Sequence, residues 1–120
     1  MKILIVDDSR AMRLIVGRTL RQAGFGDHEV VEAENGRQGL EKTKSEKPNL
    51  VLCDWNMPEM NGLEFLLALR GGGDSTPFGF ITTEGSSEMR DKALSAGAMF
   101  LITKPFTADV FEENLGAVLT

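Results

Sequence analysis

The sequence predicts an α/β domain: a five-stranded parallel sheet wound on both faces by helices. Two observations carry this reading. Short apolar runs alternate with helical stretches along the whole chain, and runs that lack in–out alternation are characteristic of strands covered on both faces. Polar residues then stand where those runs end: Asp7 and Asp8 after Lys2–Val6, Asp54 after Leu50–Cys53, Thr82 after Phe78–Ile81, and Lys104 after Met99–Thr103. In parallel sheets, ligands bind outside the carboxyl ends of the strands, so these residues are expected to share one rim.

Taken in order, Lys2–Val6 is the first strand. The first helix follows, with Met12, Ile15, Val16, Thr19, Leu20 and Ala23 on one stripe and Arg10, Arg13, Arg18 and Arg21 largely off it. Gly24 is suited to end it. Glu29–Ala33 reads as a short second strand, and Asn35–Ser45 as a polar second helix that stops before Pro48. Leu50–Asp54 is the third strand. Trp55–Asn61, with Pro58, reads as a loop before a helix over Gly62–Arg70, and Gly71–Ser75 as a connector within the domain. Phe78–Thr82 is a fourth strand weakened by Gly79, Ser86–Ala96 a helix, and Met99–Thr103 the fifth strand. Thr107 is expected to cap a last helix running through Leu119, at a cost of roughly 1 kcal/mol for Gly116 inside it. Right-handed crossovers put the helices on both faces. The pattern alone leaves the strand order open; a 2-1-3-4-5 order sets Asp7, Asp8 and Asp54 side by side at the switch point.

The 120 residues are expected to form one domain, 1–120, with no room for a second core. A net charge of -5 without a basic block argues against a nucleic-acid grip. No apolar run is long enough to span a bilayer, and Met1–Val6 runs into Asp7 and Asp8 without the order of a signal peptide. The lone Cys53 cannot form an internal disulfide, which fits a cytoplasmic protein. With His28 as the single histidine, the usual structural zinc sets are excluded. By strand alternation Cys53 points away from its neighbour Asp54 into the core. His28 is expected to be a solvated loop residue, and Leu14 and Leu67 to be exposed at the edges of their helices.

Three carboxylates at one rim repel unless a cation sits among them. Mg²⁺ takes hard oxygen ligands, typically one or two carboxylates with waters and a phosphate. A simpler role for Asp7 and Asp8 is to cap the first helix, but Asp54 and Lys104 at neighbouring strand ends favour the metal. Asp54 is the candidate nucleophile, since carboxylates attack phosphoryl groups to give aspartyl phosphates. A metal and a lysine supply the charge neutralisation that this chemistry needs. Thr82 can donate a hydrogen bond to a phosphoryl oxygen, or simply be a β-former ending its strand. Pro105 makes the loop after Lys104 a fixed one, compatible with a cis peptide.

Four motifs, IVDDS at Ile5–Ser9, CDWNMPEMNG at Cys53–Gly62, ITTE at Ile81–Glu84 and TKPF at Thr103–Phe106, resemble the response-regulator receiver domain. The wording DWNMP, with SRAMR at the first helix, is most similar to the CheY-like, chemotaxis-type, single-domain members. Receivers of that type are themselves a standing example of the 2-1-3-4-5 order, so the order adopted here is carried over from them. The resemblance implies a phosphoacceptor of a two-component system, a signalling switch rather than an enzyme acting on a separate substrate, although it promotes its own phosphorylation and dephosphorylation. A histidine kinase or histidine phosphotransfer protein would donate the phosphoryl group to Asp54. Asp8, Asp54 and the backbone carbonyl of Asn56 would hold Mg²⁺, which Mn²⁺ can replace, with Asp7 acting partly through water. Lys104 would contact Asp54 and then the phosphoryl group. Thr82, chosen over Thr83 by its distance to Lys104 in the family pattern, would swing toward a phosphoryl oxygen, and Asn56 and Glu84 fall at the positions that tune the phosphoryl lifetime in this family. The face of the fourth helix, fifth strand and fifth helix would bind the downstream protein, with the chain itself a monomer.

Two residues depart from the family pattern. Leu101 stands where a Tyr or Phe is usual as second switch residue, and Thr83 where a small residue is usual; both bear on output, not on the phosphate site. The alternatives kept open are a phosphate sink or phosphorelay receiver, and a receiver module of a longer regulator. Other classes fit less well. A flavin- or nucleotide-binding protein of this fold wants a Gly- or Ser/Thr-rich phosphate loop where Asp7 and Asp8 stand. Phosphatases of the haloacid-dehalogenase type need two aspartates one residue apart, and here they are adjacent. A degenerate receiver used only for dimerisation would lack a phosphorylation residue, and none is missing.

Overall fold

The structure, a computed structural model, describes residues 1–119. Five strands, β1 (Lys2–Val6), β2 (Glu29–Ala33), β3 (Leu50–Cys53), β4 (Phe78–Thr82) and β5 (Phe100–Thr103), alternate with five helices: α1 (Arg10–Gln22), α2 (Gly36–Glu46), α3 (Gly62–Gly71), α4 (Ser87–Ser95) and α5 (Ala108–Leu115). All strand pairs are parallel, in the order β2-β1-β3-β4-β5. Both the predicted fold class and the strand order are therefore observed.

The apolar runs read as they do because strand residues alternate between two cores. Ile3, Ile5, Leu52 and Ile102 meet Val16 and Leu20 of α1 and Phe111 and Leu115 of α5 on one face. Leu4, Val6, Val51 and Phe80 meet Phe65, Leu66 and Leu69 of α3 and Ala93 of α4 on the other, where Leu40 of α2 also packs. Cys53 lies in the second core, as expected. Gly79 does not weaken β4 idly: the ring of Phe100, its partner in register on β5, fills the space where its Cβ would be.

Several boundaries and faces differ from the sequence reading. Asp7 and Asp8 do not cap α1; the N-cap is Ser9, whose hydroxyl accepts the Met12 N–H. Ile15, assigned to the buried stripe of α1, is exposed, and Arg13, assigned off it, is buried. Arg13 stands three and seven residues before Val16 and Leu20 and so shares their face, whereas Ile15 lies one residue, or about 100°, round from Val16. Asn35 caps α2 from outside it, α4 ends at Ser95, Met99 precedes β5 and is exposed, and Asp54 follows β3. The last helix stops at Leu115 with Gly116 as its cap, and the chain turns so that Leu119 still reaches the core. His28 is not a freely solvated residue but half-buried against the Phe25 ring, with centroids 6.1 Å apart. Leu14 and Leu67 are exposed, as expected.

Candidate functional site

The parallel register delivers the site. Val6 pairs with both Ala33 and Cys53, and Thr82 with Thr103, so the residues following β1, β3, β4 and β5 all emerge at one rim. Backbone bonds extend the alignment past the strands: Asp7 N–H donates to the Ala33 carbonyl (3.1 Å), Asp54 N–H to Val6 (2.9 Å), and Lys104 N–H to Thr82 (2.7 Å). The Lys104–Pro105 peptide is cis.

One carboxylate oxygen from each of Asp7, Asp8 and Asp54 lies within 4.8 Å of the others. Asp7 is buried, Asp54 half-buried and Asp8 exposed, so the cluster opens to solvent on the Asp8 side. The Lys104 ammonium reaches the cluster from the end of β5, which β4 separates from β3. It stands 3.2 Å from Asp7 Oδ2, to which it donates a hydrogen bond, and 3.5 Å from Asp54 Oδ2. It is thus nearer to Asp7 than to Asp54, the contact expected from the sequence. Asp7 Oδ1 accepts the Ser9 N–H (2.9 Å) and Asp54 Oδ1 the Trp55 N–H (2.7 Å), which leaves an oxygen of each carboxylate facing the cluster and Lys104. Thr82 is fully buried, its hydroxyl accepting the Glu84 N–H at 3.4 Å, while Thr83 is exposed. Asn56 and Glu84 are exposed at the mouth.

The site is electrostatically unfinished. Burial, above all, holds the Asp54 carboxyl above its ordinary range; the Lys104 charge pulls it down, the Asp7 charge pushes it up, and the Trp55 N–H bond lowers it. Burial likewise pushes the Cys53 thiol well up, which keeps it an inert core residue. Three hard carboxylate oxygens offset by one ammonium are a donor set that suits Mg²⁺, and they suit no soft metal. The raised Asp54 has a consequence for stability. Without metal, ionising it penalises the fold, a penalty absent below the ordinary carboxylate value and growing as pH rises through the raised one. Asp54→Asn should therefore raise the Tm of the metal-free protein at neutral pH and flatten its dependence on pH across that window. A Tm unchanged or lowered by the substitution would mean that the carboxylate is already compensated.

The structure brings together Asp7, Asp8, Asp54 and Lys104 at one rim, and Thr82 ends β4 in register with Thr103, its carbonyl accepting the Lys104 N–H. Leu101 is elsewhere: only 4% exposed, it points into the second core with Val51 and Phe80. Two contributors to the site were missed in the sequence. Arg13 donates from Nη1 to the Asp7 carbonyl at 2.7 Å and from Nε to Glu32 at 2.8 Å. Gly62, the first residue of α3, packs against the Asp54 carbonyl and the Phe80 ring. Its place at the start of the helix was legible; its contact with Asp54 was not.

Comparison with known proteins gives a consistent result. The family model for the response regulator receiver domain matches residues 3–115. A chemotaxis protein CheY homolog of Campylobacter jejuni is 43% identical, with 99% of this chain and 92% of that protein covered. Chemotaxis protein CheY1 of Helicobacter pylori is 44% identical, with coverage of 99% and 97%. Among solved structures, Vibrio cholerae chemotaxis protein CheY4 superimposes with a TM-score of 0.85 at 36% identity, covering 98% of both chains. The receiver domain of a putative LuxO repressor protein from Vibrio parahaemolyticus, at 22% identity and a TM-score of 0.89, shares the fold.

Proposed function

The chain belongs to the response regulator receiver domain family as a CheY-type signalling switch, and we propose that Asp54 is its phosphoacceptor. The observation that carries the assignment is the convergence of the Asp7, Asp8 and Asp54 carboxylates with the Lys104 ammonium at the ends of β1, β3 and β5. Asp54 is the half-buried carboxylate of the three and has Lys104 beside it, the surroundings a nucleophile needs.

Asp8, Asp54 and the Asn56 carbonyl would hold Mg²⁺, with Asp7 partly through water; the metal would screen the carboxylates and neutralise charge on the transferred group. The donor is a phosphohistidine of a histidine kinase or histidine phosphotransfer protein. An Asp54 oxygen attacks phosphorus, the P–O bond forms as the P–N bond breaks, and the electron pair leaves with the imidazole. Lys104, held between Asp7 and Asp54, follows the charge onto a phosphoryl oxygen. The Thr82 hydroxyl donates to another, and its bond to the Glu84 N–H ties the β4–α4 loop to that event. Asn56 and Glu84, exposed at the mouth, govern the approach of water and so the lifetime. One domain, 1–120, acts as a monomer in the cytoplasm, where Cys53 stays a free thiol, and signals through the α4–β5–α5 face. No helix of the described residues is long and apolar enough to cross a membrane. Treatment with acetyl phosphate and Mg²⁺ should add one phosphoryl group by intact mass, and Asp54→Asn should abolish it. Labelling of that variant at the wild-type rate would sink the assignment.

The burial of Leu101 favours a second reading of the output. The side chain already lies inside the core, with Arg90 donating to its carbonyl at 3.2 Å, so it has little room to change exposure between states. A ligand shifts an equilibrium only by its differential affinity for the two states. Weak phosphorylation-dependent binding to the flagellar motor is expected, with the chain serving as a phosphate sink, a phosphorelay receiver or a module within a longer regulator. A flagellar switch-protein peptide, titrated with and without beryllofluoride, should bind with similar affinity. Tightening of about tenfold, roughly 1.4 kcal/mol of coupling, would overturn this, and Leu101→Tyr tests the residue directly.

A further inference from the structure

We propose that Arg13 is a positioning residue for the metal site, acting through the peptide that joins Asp7 to Asp8. The inference rests on the reading above, that these carboxylates bind Mg²⁺. Arg13 lies on α1 with its side chain 9% exposed, and its guanidinium forks between the Asp7 carbonyl at 2.7 Å and Glu32 of β2 at 2.8 Å. The Asp7 carbonyl belongs to the planar Asp7–Asp8 peptide. Fixing that oxygen therefore fixes the rotation of the unit from which both carboxylates spring.

The other polar groups of Asp7 are also engaged. Its N–H donates to Ala33, and its carboxylate accepts from Ser9 and Lys104. Among these bonds only the one from Arg13 brings a side chain to the Asp7 main chain, and it comes from the helix rather than the sheet. Glu32 already pairs with the Arg13 charge, so the residue works through geometry more than through its field on the cluster. Mg²⁺ demands near-ideal octahedral geometry, so a tilt of this peptide is felt as lost affinity. Lysine keeps the charge of Arg13 but has no planar fork to span both acceptors.

The test is calorimetric titration of Mg²⁺ into wild type, Arg13→Lys, Glu32→Gln and Asp8→Ala, with the acetyl phosphate labelling rate followed across the same range. Arg13→Lys should weaken Mg²⁺ binding by about tenfold or more, the loss typical when a partner of a metal ligand is removed. Glu32→Gln changes a half-exposed side chain, leaves the fold intact, and should give a smaller loss in the same direction. At saturating Mg²⁺ both variants should recover a labelling rate within about twofold of wild type, because Asp54 and Lys104 are untouched. A role confined to holding α1 on the sheet would lower Tm and leave Mg²⁺ affinity alone. Affinities within about twofold of wild type in both variants, with Asp8→Ala impaired, would overturn the inference. If Arg13→Lys does not fold, Glu32→Gln decides by the same criterion. Failure of wild type to take up Mg²⁺, or an unchanged Asp8→Ala, would remove the metal reading itself.

Discussion

Asp8→Ala should weaken Mg²⁺ binding by more than roughly a hundredfold, since it removes a proposed direct ligand where even partners of ligands cost 10–100-fold. Asp8 is the exposed member of the cluster and makes no ion pair among the described residues, so its loss should cost the fold little. That separation makes the substitution informative. Trp55, the single tryptophan, follows Asp54 directly and leans on Phe80 with ring centroids 4.8 Å apart. Its emission should therefore report the titration in wild type and respond weakly in the variant. An unchanged titration in Asp8→Ala would mean that the metal binds elsewhere.

Gly62→Ala should be the most damaging change of a single methyl group at the site. A Cβ there would overlap the Asp54 carbonyl oxygen and come within 2.8 Å of the Phe80 ring. Neither can yield freely: one is backbone next to the proposed nucleophile, and the other is a fully buried ring. Gly62 N–H also bonds the Trp55 carbonyl at 2.8 Å, so the β3–α3 loop is pinned between the two contacts. Overpacking of this kind costs about 1–3 kcal/mol, or a fall in Tm of roughly 10 °C for a domain of this size. Because the strain falls on Asp54, labelling should drop by more than about tenfold even where the variant remains folded. Wild-type stability with wild-type labelling would show that the loop moves freely and that Gly62 is not a wall of the site.

The sequence was most legible where local pattern and tertiary demand agree. Strands β1, β3 and β4 are buried on both faces, so apolar runs mark them, and the polar residue that ends each run marks the rim. Strand order was not legible from pattern, because nothing local records which strands pair; the resemblance supplied it. Arg13 was misplaced for a physical reason. An arginine is ordinarily a surface residue, and the acceptors that make its burial tolerable, the Asp7 carbonyl and Glu32, come from other elements. The Gly62 contact was hidden in the same way, since its neighbours Asp54 and Phe80 lie on β3's end and on β4. The end of α5 was overrun because Val118 and Leu119 continue the apolar spacing, although the chain breaks at Gly116 and turns to reach the same core.

The central claim, that phosphoryl transfer ends on Asp54, is most directly tested by peptide-level mass mapping of the protein labelled with acetyl phosphate. The account predicts one phosphoryl group, dependent on Mg²⁺ and confined to the peptide carrying Asp54. A phosphoryl group on the peptide carrying Asp7 and Asp8, or labelling that persists without divalent metal, would contradict it.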